Sequence, residues 1–201
     1  KKNFKKIVFL SNAPRPSAKV IDFLLKMKMD KQYLSNVMTS GEAAMNAINN
    51  NKFGKKFFHL GPPRDVAIFE KVKENSTTID NCEFILCTGL FDEDDPDINK
   101  SQLHENDLDY YKNFLIKHIS KKLVCTNPDL TVHRGDKEEY CAGYVAKIFE
   151  ELGGETIYYG KPYKEIYQMC FEKNEKVLAI GDNLRTDIKG ANNLNKDCLF
   201  I

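Results

Sequence analysis

Short runs of apolar residues recur along the chain and separate longer segments in which apolar residues follow a helical period. Continuous apolar runs of this length, without polar alternation, are typical of parallel strands that are buried on both faces. The runs that predict strands are IVFL at residues 7–10, VMT at 37–39, KFFHL at 56–60, CEFILC at 82–87, KLVC at 122–125, TIYY at 156–159, KVLAI at 176–180 and the terminal CLFI.

Helices are predicted between most of these runs. Ser17 is a suitable N-cap for the first helix, Thr39 and Ser40 cap a second that has Glu42 in its first turn, and Gly153-Gly154 ends another. The helical segments are residues 17–29, 40–50, 65–74, 107–119, 138–152 and 162–172, with a last one after the KVLAI strand. Strands that alternate with helices predict an α/β architecture with mostly parallel sheets.

The two ends of the pattern lie close to strands. The chain starts a few residues before a core strand and ends inside another. Because a domain rarely begins or ends so abruptly, we expect further residues at both ends.

Composition and charge exclude only a few classes of partner and site. The formal net charge of +1 gives no reason to expect nucleic acid or an anionic membrane as a partner. The six cysteines form no CxxC pair, and several lie in apolar runs, which disfavours a zinc site and fits a reducing cytoplasm. No apolar stretch approaches the ~20 residues that span a bilayer. Since Lys is the usual cation of this chain, Arg15, Arg64, Arg134 and Arg185 are candidates for bidentate anion binding.

The segment AIGDNLRTDIKGA, residues 179–191, carries the clearest chemical signal. An apolar strand places Asp182 at its carboxyl end, and Asp187 follows at the start of a helix. Ligand sites of open α/β sheets lie at this edge, and two carboxylates there suit a hard cation such as Mg²⁺. Alternatively, Asp182 could be a turn residue and Asp187 a helix N-cap, with no metal involved.

Two other segments could bind phosphate. Lys161, in GKPYKEIYQ, follows a strand and could direct its ammonium at a phosphoryl group, although a solvated lysine is the ordinary alternative. Ser11, in FLSNAPRP, ends the first strand, where its hydroxyl and the following N–H groups could hold a phosphate oxygen. Turn formation by Ser-Asn-Pro would explain this segment equally well.

Taken together and in this order, the three segments resemble motifs two, three and four of the haloacid dehalogenase (HAD) superfamily. The intervening insertion and the TNPD step at Asn127–Asp129 resemble subclass IIA, which contains phosphatases with an inserted α/β cap. The phrases SNAPRP, HLGPPRD, NPDLTVHRGD and GKPYKEIY are similar to an uncharacterised, predicted-hydrolase branch of that subclass.

The resemblance implies a role for each matching residue. Asp182 would bind Mg²⁺ directly, with Asp187 supporting the metal or its waters, and Lys161 would neutralise an aspartyl-phosphate. Ser11 and the Asn12 backbone would bind the phosphoryl group, with Arg15 of the same segment as a further phosphate contact. Asn127 and Asp129 would lie where the cap meets the core and would contact substrate.

The first motif of that superfamily, D-x-D-x-T/V, is absent from the sequence. Its first aspartate attacks phosphorus and its second acts as general acid and base. The acidic run FDEDDPD, residues 91–97, lacks the Gly-Thr turn that should follow and is interpreted as a solvated loop. We therefore expect the nucleophile upstream of Lys1; the alternative is a catalytically inactive, HAD-like binding or scaffold protein.

The resulting prediction is a Rossmann-like HAD core of residues 1–38 and 157–201, with an α/β cap inserted as residues 39–156. The predicted activity is Mg²⁺-dependent hydrolysis of a small phosphorylated metabolite in the cytoplasm. Subclass IIA relatives often pair through their caps, so the resemblance also implies a homodimer. A nucleotide-binding oxidoreductase is excluded because no G-x-G-x-x-G follows a strand. Roles for Arg64, Arg134 and His133 stay open.

Overall fold

A computed structural model describes residues 6–91 and 108–201. The strands within these ranges are β1 Phe9–Ser11, β2 Val37–Thr39, β3 Phe57–Leu60, β4 Phe84–Cys87, β5 Lys122–Cys125, β6 Thr131–Arg134, β7 Lys137–Tyr140, β8 Glu155–Tyr158, β9 Leu178–Gly181 and β10 Asp197–Phe200. The α-helices are α1 Ser17–Lys26, α2 Ser40–Asn49, α3 Leu108–Leu115, α4 Ala142–Glu151, α5 Lys164–Tyr167 and α6 Lys189–Asn193.

The largest sheet has four parallel strands in the order β3-β4-β5-β8. Its strands are apolar without alternation because helices cover both faces. On β4, Ile85 and Cys87 pack in the cluster that contains residues of α3 and α4. Phe84 and Leu86 pack in the opposite cluster, which includes the alanines of α2. This three-layer arrangement confirms the predicted α/β class.

Two smaller parallel sheets carry the candidate site residues at their carboxyl ends. Strand β1 pairs with β2 so that Ser11 lies opposite Thr39. Strand β9 pairs with β10 so that Gly181 lies opposite Phe200. An antiparallel hairpin, β6–β7, completes the sheets of the described residues.

The start of α2 agrees with the predicted cap, whereas the start of α1 does not. The Thr39 hydroxyl accepts a hydrogen bond from the Glu42 N–H at 3.0 Å, as expected for an N-cap. Ser17 is the first residue of α1 and Pro16 is its N-cap. Glu42 instead satisfies this end of α1, because its carboxylate accepts the Ser17 N–H at 3.0 Å.

Several predicted helices are shorter or of another type. Residues 65–74 form parts of two 3₁₀ segments, Pro63–Ile68 and Glu70–Asn75, because Phe69 and Val72 depart from helical dihedral angles. The helix predicted at residues 138–152 starts at Ala142, since residues 138–140 belong to the β6–β7 hairpin that the periodicity missed.

The helix predicted at residues 162–172 is reduced to α5, Lys164–Tyr167. The last predicted helix is a π-helical turn, Leu184–Ile188, followed by α6.

Most of the acidic run FDEDDPD lies outside the described residues. The boundaries of core and cap at residues 38/39 and 156/157 stay predictions. None of the described helices combines the length and apolar character needed to cross a membrane.

Candidate active site

Asn12, directly after β1, joins three segments that are distant in sequence. Its side-chain Nδ2 donates to Asp129 Oδ1 at 2.9 Å and to the Lys161 carbonyl at 3.0 Å. Its Oδ1 accepts the Lys161 N–H at 2.7 Å. The Asn12 amide therefore pairs with both backbone groups of Lys161 while it fixes Asp129. Since the Asn12 side chain is buried, these bonds are protected from competition with water.

Gly160 permits this close approach. Its φ of +128° lies where residues with a Cβ are strained. A Cβ at Gly160 would lie 2.7 Å from Asn12 Oδ1 and 2.5 Å from Pro128 Cδ, so any side chain would displace the Asn12 amide. The glycine before Lys161 is thus required both by the backbone dihedral and by packing.

Lys161 and Asp187 form an ion pair at the other side of this cluster. Lys161 Nζ lies 2.7 Å from Asp187 Oδ1, and the two side chains are only 17% and 13% exposed. Asp187 Oδ2 accepts the Asn183 N–H at 3.2 Å. Both carboxylate oxygens therefore have donors, and the low exposure makes the pair stronger than one at the surface.

The turn between β9 and α6 holds Asp187 in this position. Asn183, rather than Asp187, is the N-cap, and its side chain accepts the N–H groups of Arg185 and Thr186. The interpretation of Asp187 as an N-cap is therefore wrong. A Cβ on Gly181 would overlap the side chain of Asp187, so the close packing of the carboxylate against β9 requires glycine there.

Asp182 is exposed at the tip of β9, and no hydrogen bond or ion pair of its carboxylate is found within residues 6–91 and 108–201. No group of three or more His, Cys, Asp or Glu side chains in these ranges could hold a metal ion. The local donors are hard carboxylate oxygens, and Mg²⁺ binds through one or two carboxylates while it retains water. The carboxylates of Asp182 and Asp187 thus fit Mg²⁺ chemically, and that of Asp182 is the more exposed of the two.

Asp129 is a partly buried carboxylate whose pKa responds to the rest of the cluster. Burial raises its pKa, the nearby Asp187 also raises it, and the Asn12 hydrogen bond and Lys161 act in the opposite direction. The preceding loop orients Asp129, since Asn127 Oδ1 accepts the Asp129 N–H at 3.1 Å. Asp129 therefore meets the Asn12 side chain from the loop that follows β5.

A cavity of about 480 Å³ extends from this cluster. Ser11, Asn12, Arg15, Asn127 and Asp129 all line it. The Ser11 hydroxyl accepts the Ala13 N–H at 3.2 Å. Ser11 therefore makes the turn interaction that the sequence allowed as an alternative to phosphate binding. Arg15 Nε lies 3.8 Å from the buried Asp65 carboxylate. These sequence-predicted residues therefore share one space, although their roles in binding stay predictions.

The structure thus separates the predicted site residues into groups. Asn12, Asp129, Lys161 and Asp187 are joined in one hydrogen-bonded chain, and Asp182 lies beside it without a bond in the described part of the protein. His133 is exposed on β6 and does not line the cavity. Arg64 lines it, whereas the side chain of Arg134 lies outside the described residues.

Sequence reasoning missed the side chains that position the others. Asn12 was expected to act through its backbone, whereas its amide side chain makes the contacts described above. Asn183 was not considered, although Asn before a helical turn is a recognisable N-cap signal. A further polar contact joins β3 to the residue after β4: His59 Nε2 and Thr88 Oγ1 lie 2.9 Å apart, and burial lowers the pKa of the His59 imidazole to about 4.

A family model described as HAD-hydrolase-like matches residues 158–201, which contain Lys161, Asp182 and Asp187. A search of curated proteins found no match.

Solved structures share the fold over nearly the whole chain. A haloacid dehalogenase-like hydrolase from Brucella suis 1330 is 28% identical, covers 96% of this chain and 72% of its own, and has a TM-score of 0.80. A 4-nitrophenylphosphatase from Thermotoga maritima is 24% identical, with coverages of 98% and 72% and a TM-score of 0.70. A glycerol phosphate phosphatase from Mycobacterium tuberculosis, solved with calcium, is 20% identical, with coverages of 96% and 56% and a TM-score of 0.63.

Proposed function

Because this chain is a HAD-like hydrolase in its fold and in the sequence of residues 158–201, we propose that it acts as a Mg²⁺-dependent phosphatase on a small phosphomonoester. The observation that carries the proposal is the shielded pair of Lys161 and Asp187, 2.7 Å apart, beside the exposed Asp182. A fixed cation next to a carboxylate that is free to bind metal is suited to a phosphoryl group, which carries negative charge on several oxygens.

Asp182 would be the direct metal ligand, and Asp187 would act through its bond to Lys161 or through a metal-bound water. Mg²⁺ held there would withdraw charge from the phosphoryl oxygens and orient them. Lys161 would neutralise the phosphoryl group from the opposite side. Its backbone is fixed by Asn12, so the ammonium needs little reorganisation when charge develops.

Ser11 would contribute a hydroxyl and the adjacent backbone N–H groups to the phosphoryl oxygens, with Arg15 further along the cavity wall. Asn127 and Asp129 would contact the leaving-group side of the substrate. From the resemblance, the attacking carboxylate is expected in a D-x-D segment upstream of Lys1, where it would form an aspartyl-phosphate.

The alternative is a protein that binds phosphorylated ligands without turnover. It predicts the same ligand binding, because Ser11, Lys161 and Asp182 do not depend on the nucleophile for their positions. The coding sequence upstream of Lys1 separates the two possibilities: a D-x-D followed by Gly and Thr or Val supports the enzyme.

The decisive variant is Asp182→Asn in the product of the complete coding sequence. We expect it to abolish Mg²⁺-dependent phosphatase activity and to weaken Mg²⁺ binding measured by titration calorimetry, because an amide is a much poorer ligand for this cation. Asp197→Asn, an exposed carboxylate on the neighbouring strand β10, is the matched control and should retain both properties. Full activity in Asp182→Asn would refute the metal assignment.

A small phosphorylated metabolite as substrate, a homodimer through the cap and a cytoplasmic location remain predictions. Light scattering on the purified protein would test the second.

A further inference from the structure

Tyr167, the last residue of α5, has a buried hydroxyl without a hydrogen-bond partner in the described part of the chain. The residue is only 6% exposed, and its oxygen makes no hydrogen bond within residues 6–91 and 108–201. A buried hydroxyl that exchanges water for no partner destabilises the folded state. Phenylalanine would fill nearly the same space without this penalty. The hydroxyl of Tyr167 therefore requires an explanation other than packing.

Gly190 of α6 makes room for this hydroxyl. A Cβ on Gly190 would lie 1.9 Å from Tyr167 Oη and 2.6 Å from Tyr167 Cζ, so only glycine fits while the ring keeps its position. Glycine inside a helix is less favourable than alanine, because its backbone loses more freedom on folding. Two residues that each weaken the local structure thus combine to place one oxygen atom against α6.

The position of this oxygen is close to Asp187. Gly190 follows Asp187 by three residues, and Ile188 and Lys189 between them have right-handed helical dihedral angles. Residues three apart in a helical run lie on one face, with about 5–6 Å between their Cβ positions. Burial raises the pKa of the Tyr167 hydroxyl, and the negative charge of Asp187 raises it further, which also indicates that the two groups are near each other.

The Asp187 carboxylate can accept a further hydrogen bond. Its Oδ1 accepts from Lys161 Nζ at 2.7 Å and its Oδ2 from the Asn183 N–H at 3.2 Å, which leaves one lone pair on each oxygen. Tyr167 does not reach this carboxylate directly, because its hydroxyl makes no bond to any described residue. Two polar groups at such a separation are commonly joined by one water molecule, which spans about 5–6 Å with two hydrogen bonds.

Tyr167 and Lys161 belong to one segment, GKPYKEIYQ, and both approach the same carboxylate. The Lys161 backbone is already fixed by the Asn12 amide. A water held by Tyr167 would give Asp187 a third donor beside Lys161 Nζ and the Asn183 N–H. Hydrogen-bond partners that orient a metal-binding carboxylate also raise the affinity of the site for its metal.

We propose that Tyr167 is a positioning residue of the candidate site, whose hydroxyl holds the Asp187 carboxylate through one buried water molecule. Gly190 provides the space in which the hydroxyl and this water meet. The bridge is a property of the folded chain, whereas its effect on Mg²⁺ rests on the proposed phosphatase function.

A crystal structure of the metal-free product of the complete coding sequence tests the bridge itself. We expect one ordered water within about 3.2 Å of both Tyr167 Oη and an Asp187 carboxylate oxygen. The same water should be missing from the structure of Tyr167→Phe. A structure in which Tyr167 Oη has a different partner, or none, would overturn the proposal.

Thermal unfolding gives a test whose sign is decisive. If the Tyr167 hydroxyl were simply unsatisfied, Tyr167→Phe would remove a penalty and the Tm would stay the same or rise. A bridged hydroxyl instead stabilises the protein, so we expect Tyr167→Phe to lower the Tm by about 2–4 °C.

Titration calorimetry with Mg²⁺ alone tests the effect on the site. Tyr167→Phe should raise the Kd of Mg²⁺ about tenfold, or ~1.4 kcal/mol. Tyr159→Phe is the matched control, because Tyr159 is 3% exposed in the same core cluster and its hydroxyl bonds Lys52 instead of a site residue. This control should leave the Kd of Mg²⁺ within about twofold of the unsubstituted protein.

The outcomes separate this inference from the proposed function. An unchanged Kd of Mg²⁺ in Tyr167→Phe, or a Tm that does not fall, would overturn the role of Tyr167 while the phosphatase proposal stands. If the unsubstituted protein binds no Mg²⁺, the phosphatase proposal fails at its metal. The crystal structure and the Tm would then still decide whether Tyr167 holds Asp187.

Discussion

Replacement of Asn12 by alanine tests whether one buried amide holds the candidate site together. The substitution removes two hydrogen bonds to the Lys161 backbone and one to the Asp129 carboxylate. A neutral bond contributes about 1 kcal/mol and a bond to a charged group about 2 kcal/mol. Allowing for water that enters the space, we expect the free energy of unfolding to fall by about 3 kcal/mol.

For a domain of this size, that loss corresponds to a Tm lower by roughly 6–12 °C. Urea denaturation followed by circular dichroism would give the free energy directly, provided that the slope with urea is unchanged. Asn36→Ala is the matched control, since Asn36 is exposed and its amide makes a 3.2 Å bond to the Ile7 carbonyl. It should change stability by less than about 0.5 kcal/mol.

A double-mutant cycle isolates the contact with Asp129. Asn12→Ala and Asp129→Ala should couple by about 1 kcal/mol, because each removes the same hydrogen bond. An Asn12→Ala protein as stable as the wild type, or a coupling energy near zero, would show that the Asn12 amide does not join these segments in solution.

Two other substitutions test neighbouring features. Gly160→Ala should destabilise the protein by at least ~2 kcal/mol more than Gly153→Ala in urea denaturation, because both glycines have positive φ but only Gly160 lacks room for a Cβ; equal losses would refute the crowding. The pKa of His59 is about 4 in the folded protein against 6.5 ordinarily, so the unfolded chain binds the proton first as pH falls. Stability should therefore decrease by up to ~3 kcal/mol from pH 6.5 to pH 4 and be unaffected by this group above pH 6.5. His59→Gln should flatten that decrease, and an unchanged pH profile would contradict the assignment.

The α/β class was predictable because it depends on local pattern. Strands such as Phe84–Cys87 are apolar at every position, and a strand can have that pattern only where both faces are covered. The β6–β7 hairpin was missed for the opposite reason. Its strands are short and polar, and Glu138–Tyr140 were assigned to the start of the helix that follows.

The candidate site also has features that the sequence predicts and features that only the fold explains. The sequence identified Lys161, Asp182 and Asp187 because each follows a strand in a recognisable order along the chain. It could not show that the Lys161 ammonium pairs with the Asp187 carboxylate, or that Asp182 stays exposed. Both depend on which carboxylate the folded backbone brings within reach of Lys161.

By itself, then, the sequence determined which apolar segments form buried strands and which polar residues stand at their carboxyl ends, because hydrophobic period and turn chemistry act over a few residues. Only the tertiary structure decided that Asn12 would bond to residues 117 and 149 positions away, since such contacts arise when separate strands end at the same edge. It also decided that Phe23 of α1 and Val132 of the hairpin would line one cavity, because two residues so far apart in sequence are brought together only when the chain folds.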